Sequence, residues 1–183
     1  MTYKTIRLGK IKTSKIELVD ITKAWLALSI AFAVALGGFS FLSGSVHKIV
    51  SFQFLILFLV SLVTGGLGFL LHELAHKFVA QKYGCAAEFR AFDQMLYLAL
   101  GLALLVGFIF AAPGAVFISG NITRRENGIV SAAGPLVNFV LALIFLFLKL
   151  QYPQGGFIFS TGFQINLWLG LFNMIPFGNF DGK

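Results

Sequence analysis

Charged residues are scarce in this chain of 183 residues. They make up 11% of it, against roughly a quarter of an ordinary soluble domain, whereas 58% of the residues are hydrophobic. Only seven residues are acidic, and long uncharged runs follow one another along the chain. This composition excludes an ordinary soluble domain and indicates an integral membrane protein in contact with a lipid bilayer.

The uncharged runs are long enough to cross a bilayer, which takes about 20 helical residues. They predict up to five membrane segments, at residues 24–46, 49–71, 94–123, 127–148 and 150–180. A single crossing by the third run would place Asp181 on the opposite side of the membrane from His72 and His76. We therefore expect residues 95–112 to re-enter, to cross an even number of times or to pack obliquely.

Cysteine is nearly absent, and the chain carries an excess of basic residues. The single Cys85 excludes an intramolecular disulfide, and we expect no cleaved signal peptide.

Fourteen basic residues against seven acidic ones give a net charge of +7, and six of the basic residues precede the first uncharged run. The positive-inside rule thus predicts a cytoplasmic amino terminus in a multi-pass protein of the cell membrane. A nucleic-acid partner is not expected.

The polar segments predict small β-hairpins at the cytoplasmic face. Residues 1–23 form a leader rich in β-branched residues, with a polar break at 12–14 that predicts a turn. A second hairpin is expected where residues 116–118 resemble a strand and residues 124–128 a polar turn. Gly134 and Pro135 then open a helix, because proline is tolerated in the first helical turn. The predicted fold is an all-α multi-pass membrane domain over residues 1–183, with its transmembrane core at 24–183.

The sequence His72-Glu73-Leu74-Ala75-His76 points to metal chemistry. On a helix, positions i and i+4 share a face, so both imidazoles can reach one Zn²⁺ while Glu73 addresses the attacking water. A catalytic zinc usually has a third protein ligand. Asp181 is a candidate because it follows 31 uncharged residues, and a carboxylate among apolar neighbours is costly unless a partner such as a metal repays the cost. The alternative for Asp181 is an interfacial carboxylate, and His47 is predicted to be solvated.

Three segments together resemble the motifs of the site-2 protease family of intramembrane zinc metalloproteases. They are residues 72–76, the sequence Gly134-Pro135-Leu136-Val137-Asn138, and residues 173–182. The resemblance implies a site-2 protease-like transmembrane core in which His72, His76 and Asp181 bind one zinc ion per chain. It also implies Glu73 as catalytic base, Asn173 as the residue that holds substrate or the oxyanion, and Asn138 as a further substrate-binding candidate. Relatives usually continue into further membrane helices, so we expect the chain to be truncated after Lys183.

The predicted function is intramembrane proteolysis, the zinc-dependent hydrolysis of peptide bonds within or near the transmembrane helices of membrane-protein substrates. Glu73 would take a proton from water and pass it to the leaving amine, and Asn173 would donate to the oxyanion. One alternative is a non-catalytic zinc-binding membrane protein that shields or presents a partner helix. Another is a metal transporter, which would more naturally distribute ligands along a path. The sequence makes no prediction of the oligomeric state.

Overall fold

The computed structural model describes residues 5–9, 11–109, 113–178 and 180–183. Within these residues the fold consists of α-helices and two small antiparallel sheets. The helices are α1 (Lys15–Gly37), α2 (Phe52–Ser61), α3 (Leu67–Lys82), α4 (Asp93–Val106), α5 (Arg124–Gln151) and α6 (Gly156–Asn173). The strands are β1 (Thr5–Leu8), β2 (Ile11–Ser14), β3 (Ala86–Ala91) and β4 (Gly114–Ser119).

Three helices of the described residues are long and apolar enough to cross a membrane. They are α1, α5 and a 31-residue run, Phe52–Lys82, in which a π-helical turn (Leu62–Gly66) joins α2 to α3. With 14 residues, α4 is about 21 Å long, short of the roughly 30 Å of hydrocarbon. Large apolar side chains are exposed along one stripe of α5, at Leu136, Val140, Leu143 and Phe147. The predicted multi-pass helical membrane fold is confirmed, with three such helices instead of the upper limit of five.

The predicted leader hairpin is confirmed, but it is shorter than expected. β1 pairs with β2, and the turn between them lies at Gly9, whose φ is 63°, rather than at residues 12–14, which belong to β2. Helix α1 begins at Lys15 instead of near Ala24, because the Ser14 side chain accepts a hydrogen bond from the Glu17 amide at 3.2 Å and caps it. Residues 1–4 and 10 of the leader lie outside the described residues.

The expected turn at residues 124–128 is wrong, since these residues form the first turns of α5. Thr123 and Glu126 make a capping box: the Glu126 amide donates to the Thr123 hydroxyl at 3.2 Å, and the Thr123 amide donates to the Glu126 carboxylate at 2.7 Å. Pro135 therefore lies inside the helix and does not open it, and it leaves the Ser131 carbonyl without its helical donor. The predicted second hairpin, with a turn at residues 124–128, is therefore wrong as well. The strand at residues 116–118 is confirmed as part of β4, but β4 pairs with β3, which precedes it in the chain.

Helix α4 lies between β3 and β4 in the chain, on a segment that leaves the sheet and returns to it. At the sheet, the Phe92 amide donates to the Pro113 carbonyl at 2.9 Å. At the far end, the amides of Phe41 and Leu42 donate to carbonyls of α4 at 2.8 and 3.0 Å, next to the end of α1. The segment thus starts and finishes at the sheet. That residues 95–112 re-enter, cross an even number of times or pack obliquely stays a prediction, and residues 110–112 lie outside the described residues.

A buried ion pair joins the first turn of α1 to α3, the helix that carries the histidines. Lys77 Nζ lies 2.6 Å from Glu17 Oε2, and the two side chains are 2% and 0% exposed. The Thr13 hydroxyl and the Phe89 amide also donate to the Glu17 carboxylate, at 2.7 and 2.9 Å. The Glu17 carboxylate therefore fixes β2, α1, β3 and α3 relative to one another. Its partner Lys77 directly follows His76 in the sequence.

Candidate metal centre

The three predicted metal ligands converge on one point. His72 Nε2 and His76 Nε2 lie 3.1 Å apart, and Asp181 Oδ2 lies 3.0 Å from the first and 3.2 Å from the second. A tetrahedral ion with bonds of about 2.05 Å would hold its ligand atoms about 3.3 Å apart. Both imidazoles are buried, and no other such cluster of potential ligands occurs in the described part of the chain. The spacing and the donor types fit a divalent transition metal.

Hydrogen bonds orient both imidazoles so that they can bind a metal ion. His76 Nδ1 lies 2.8 Å from the Val130 carbonyl of α5, and His72 Nδ1 lies 2.6 Å from Asn138 Oδ1. Both of these partners are acceptors, so each Nδ1 carries the proton and each Nε2 keeps its lone pair. A second hydrogen bond of this kind is the usual support of a metal-binding histidine.

Asp181 reaches the histidines because the chain folds back after α6. The Gly182 amide donates to the Asn173 carbonyl at 2.7 Å, and a Cβ atom at Gly182 would overlap the Met174 carbonyl oxygen. Asp181 Oδ2 lies within 3.2 Å of both imidazole Nε2 atoms. A carboxylate binds a metal in its ionised form, and Asp181 Oδ2 completes the set of three potential ligand atoms.

Gly134 of α5 leaves room for an ion beside the two histidines. A Cβ atom at this position would lie 2.6 Å from His72 Nε2 and would also overlap His76 Nε2. A side chain here would collide with the Nε2 atoms of both histidines. The absence of a side chain at Gly134 therefore supports the same conclusion as the donor set, namely that the residues present fit a metal ion.

A cavity of about 720 Å³ is lined by the three predicted ligands. Glu73, one position after His72 on α3, and Asn173, the last residue of α6, both line it. The Asn173 amide donates one N–H to the Leu169 carbonyl at 3.0 Å and has a second N–H to offer. The remaining walls are mostly apolar, and they include Phe69, Phe92, Val116, Phe117, Ile118, Val130, Leu169, Phe177 and Phe180.

Two asparagines lie away from the cavity. Asn138 does not line it: its side chain is fully buried behind His72. Asn166 of α6, which the sequence analysis did not single out, is fully buried as well and contacts Asn138. The signal available in the sequence was an asparagine in the middle of a mostly apolar helix. His47 is exposed in a short 3₁₀ turn, as predicted for a solvated histidine.

The edge of β4 that faces away from β3 borders the cavity. The Phe89 amide donates to a side chain of α1, and the Ala87 carbonyl accepts from a side chain of α3, so both residues turn their main-chain groups away from β4. Directly opposite residues of an antiparallel pair do the same. Val116 and Ile118, which stand opposite Phe89 and Ala87, thus present main-chain groups on the outer edge, and residues 114–118 line the cavity.

Comparisons with known proteins find four curated relatives, two of them from one organism, and a solved structure. A "Putative zinc metalloprotease" of Methanocaldococcus jannaschii is 41% identical over 174 residues, which is 93% of this chain and 83% of that protein. A "Zinc metalloprotease" of the same organism is 32% identical over 185 residues, which is 100% of this chain and 44% of that protein. The solved "Site-2 Protease from Methanocaldococcus jannaschii" is 22% identical with a TM-score of 0.47, covering 98% of this chain and 68% of that one. No family model matches the chain.

Proposed function

This chain belongs to the site-2 protease family of zinc metalloproteases, and on that premise we propose that it is an intramembrane endopeptidase. It hydrolyses peptide bonds within or near the transmembrane helices of membrane-protein substrates. The observation that carries the proposal is the convergence of His72, His76 and Asp181 in a cavity that Glu73 and Asn173 also line, among helices apolar enough to cross a membrane.

The metal in this proposal is one Zn²⁺ ion, held by His72, His76 and Asp181. When bound, zinc supplies Lewis acidity, which polarises the scissile carbonyl and lowers the pKa of water. Glu73 faces the same cavity and takes the proton of the attacking water, then passes it to the leaving amine. The free N–H of Asn173 donates to the oxyanion. Asn138 does not face the cavity, and it accepts a hydrogen bond from His72 Nδ1.

The open edge of β4 is the proposed docking site for the substrate main chain. A hydrogen-bonded helical carbonyl is poorly exposed to attack, so the substrate has to unwind locally before cleavage. An extended segment can then form main-chain hydrogen bonds with Val116 and Ile118, as strands added to a sheet edge do. Substrates with glycine, proline or polar residues in the span should therefore be cleaved most readily.

Basic residues indicate which side of the membrane the site faces. Lys82 ends α3, about 9 Å along the helix from His76, and the first turns of α1 and α5 pack beside this end. Lys15 begins α1, and Arg124 and Arg125 begin α5. By the positive-inside rule, we place this end in the cytoplasm and the protein in the cell membrane.

The test is cleavage of a membrane-spanning substrate by the chain reconstituted in liposomes, with Glu73→Gln as the variant. We expect the rate to fall between about 100-fold and 10,000-fold, the usual contribution of general acid–base catalysis, while Zn²⁺ remains bound. Glu126→Gln is the matched control, because glutamine also serves in a capping box and Glu126 does not line the cavity. Cleavage by Glu73→Gln at the wild-type rate would refute the catalytic role.

The same experiment separates the rival functions. A wild-type protein that binds Zn²⁺ but cleaves no membrane substrate would favour the shielding or presenting role. Metal flux into sealed liposomes would favour a transporter. The single cluster of potential ligands among the described residues argues for one site rather than a path.

A further inference from the structure

A chain of buried amides links α6 to the metal centre. On α6, Asn166 donates Nδ2–H to the Gly162 carbonyl at 2.9 Å, and its Oδ1 accepts from Asn138 Nδ2 at 3.0 Å. On α5, Asn138 also donates to the Gly68 carbonyl of α3 at 3.1 Å, and its Oδ1 lies 2.6 Å from His72 Nδ1. Both asparagine side chains are 0% exposed. The relay formed by Asn166 and Asn138 thus ends on a metal ligand.

The direction of every hydrogen bond in the relay is fixed by main-chain carbonyls. The Gly162 carbonyl can only accept, so Asn166 must turn its amino group to it and its oxygen to Asn138. The Gly68 carbonyl likewise requires the amino group of Asn138, which leaves the Asn138 oxygen for His72. His72 must then carry its proton on Nδ1 and keep the lone pair on Nε2.

Two further features match the relay to the site. A Cβ atom at Gly68 would overlap Asn166 Oδ1, so the glycine lets α3 and α6 approach closely enough for the amides to meet. Asn166 and Asn173 are seven residues apart on α6, which places them on one face of the helix, about 10.5 Å apart. The residue that supports the ligand and the residue that lines the cavity therefore share one rigid element.

We infer that Asn166 is a positioning residue, which acts through Asn138 to hold His72 in the ring orientation and tautomer that present Nε2 to the metal. This inference rests on the proposed function, since it concerns the same metal site. It predicts that Asn166, which lines no part of the cavity, nevertheless controls the affinity for metal. A residue that only filled space between α5 and α6 would have no such effect.

The test measures the Zn²⁺ dissociation constant of the full chain in detergent by competition with a chromophoric chelator. Asn166→Ser is the main variant, because its hydroxyl can still bond the Gly162 carbonyl but is too short to reach Asn138. We expect the dissociation constant to rise between about threefold and 20-fold, the range of interhelical hydrogen bonds in membranes. The visible absorption of bound Co²⁺ should shift as well, because the orientation of one ligand changes.

Matched variants distinguish positioning from packing. In Asn166→Asp a buried, neutral carboxyl donates to Gly162 and accepts from Asn138, so affinity should stay within about twofold of wild type. Thr161→Val, an isosteric change at another buried position of α6, should leave affinity unchanged. In an Asn138→Ala background, Asn166→Ser should have less than about a twofold further effect, because the two residues act in series.

Each outcome decides the inference. Unchanged Zn²⁺ affinity in Asn166→Ser, or an effect that adds fully to that of Asn138→Ala, would overturn it. If Asn166→Ser does not fold, the Zn²⁺ affinity of Asn166→Ala is measured instead, alone and together with Asn138→Ala, and decides the inference. A folded wild-type chain that binds no Zn²⁺ would overturn the proposed function and the relay with it. Wild-type Zn²⁺ binding without proteolysis would overturn the function alone.

Discussion

Replacing Lys77 by methionine should destabilise the folded protein strongly, although the side chain keeps its length and apolar stem. The Lys77 ammonium and the Glu17 carboxylate are buried together at 2.6 Å. Without Lys77, the carboxylate keeps two donors, the Thr13 hydroxyl and the Phe89 amide. Removing one partner of a buried pair costs about 3 to 5 kcal/mol, and these two donors place Lys77→Met near the lower end.

Glu17→Gln should cost more, near the upper end of that range, because it leaves a buried ammonium facing a neutral amide. The double variant should lose only about 1 to 3 kcal/mol, since no charge remains buried and the glutamine oxygen can still accept from Phe89. The cost of the double variant is thus far below the sum of the single ones. The coupling energy between the two positions should reach at least about 3 kcal/mol.

The assay is equilibrium unfolding in mixed micelles with increasing dodecyl sulfate, followed by tryptophan fluorescence. The two tryptophans, Trp25 and Trp168, lie on α1 and α6 and report on separate parts of the fold. Coincident transitions at the two positions would support a two-state analysis. Single-variant losses below about 1 kcal/mol, or a loss in the double variant equal to the sum of the single losses, would show that the pair does not hold α1 to α3.

Three further predictions concern the metal and the substrate. Gly134→Ala should abolish high-affinity Zn²⁺ binding because the methyl group overlaps both Nε2 atoms, whereas Gly128→Ala, on the same helix with open space around it, should bind normally; equal affinities would contradict the assignment of that space to the ion. Ile118→Pro should raise KM for a membrane substrate severalfold without changing Zn²⁺ affinity, since it removes an outward N–H from β4, and Ile118→Ala is its control for the side chain. Gly182→Ala should weaken Zn²⁺ binding, because the added methyl group overlaps the Met174 carbonyl and displaces the loop that carries Asp181. Chelator competition measures the affinity, and an affinity equal to that of wild type would contradict this prediction.

The convergence of His72, His76 and Asp181 was predictable because its signals are local or chemically rare. Two histidines at i and i+4 share a helical face wherever the helix forms, and the structure places them as the spacing requires. Asp181 stood out because it ends a long uncharged run, and the resemblance to a known family supplied its role. The position of Glu73 beside His72 and His76 followed from the same helix.

The starts of α1 and α5 were missed although their signals are in the sequence. Ser14 with Glu17 and Thr123 with Glu126 are both N-cap residues followed three positions later by glutamate. Low hydrophobicity in these first turns obscured the helices, because a search for membrane spans weighs apolar length alone. Helices that extend beyond the hydrocarbon are better located by their caps.

The pairing of β3 with β4 and the role of Asn166 depend on contacts distant in sequence. The two strands are separated by all of α4, so no turn signal connects them. Asn166 is an unremarkable polar residue until α3, α5 and α6 pack around it, because its partners come from two other helices. Tertiary packing, and not local pattern, decides both features.

The hydrogen bond between the Phe92 amide and the Pro113 carbonyl makes the α4 segment a module. Its two ends meet at the sheet, so the intervening chain can change in length or composition without altering the register of β3 and β4. A shorter insert would forfeit the packing of Ala99 and Ala103 beside α1 but would leave the β4 edge in place. Grafting of such segments between homologues is therefore a practical route to exchanging the surface of α4 while conserving the cavity at His72, His76 and Asp181.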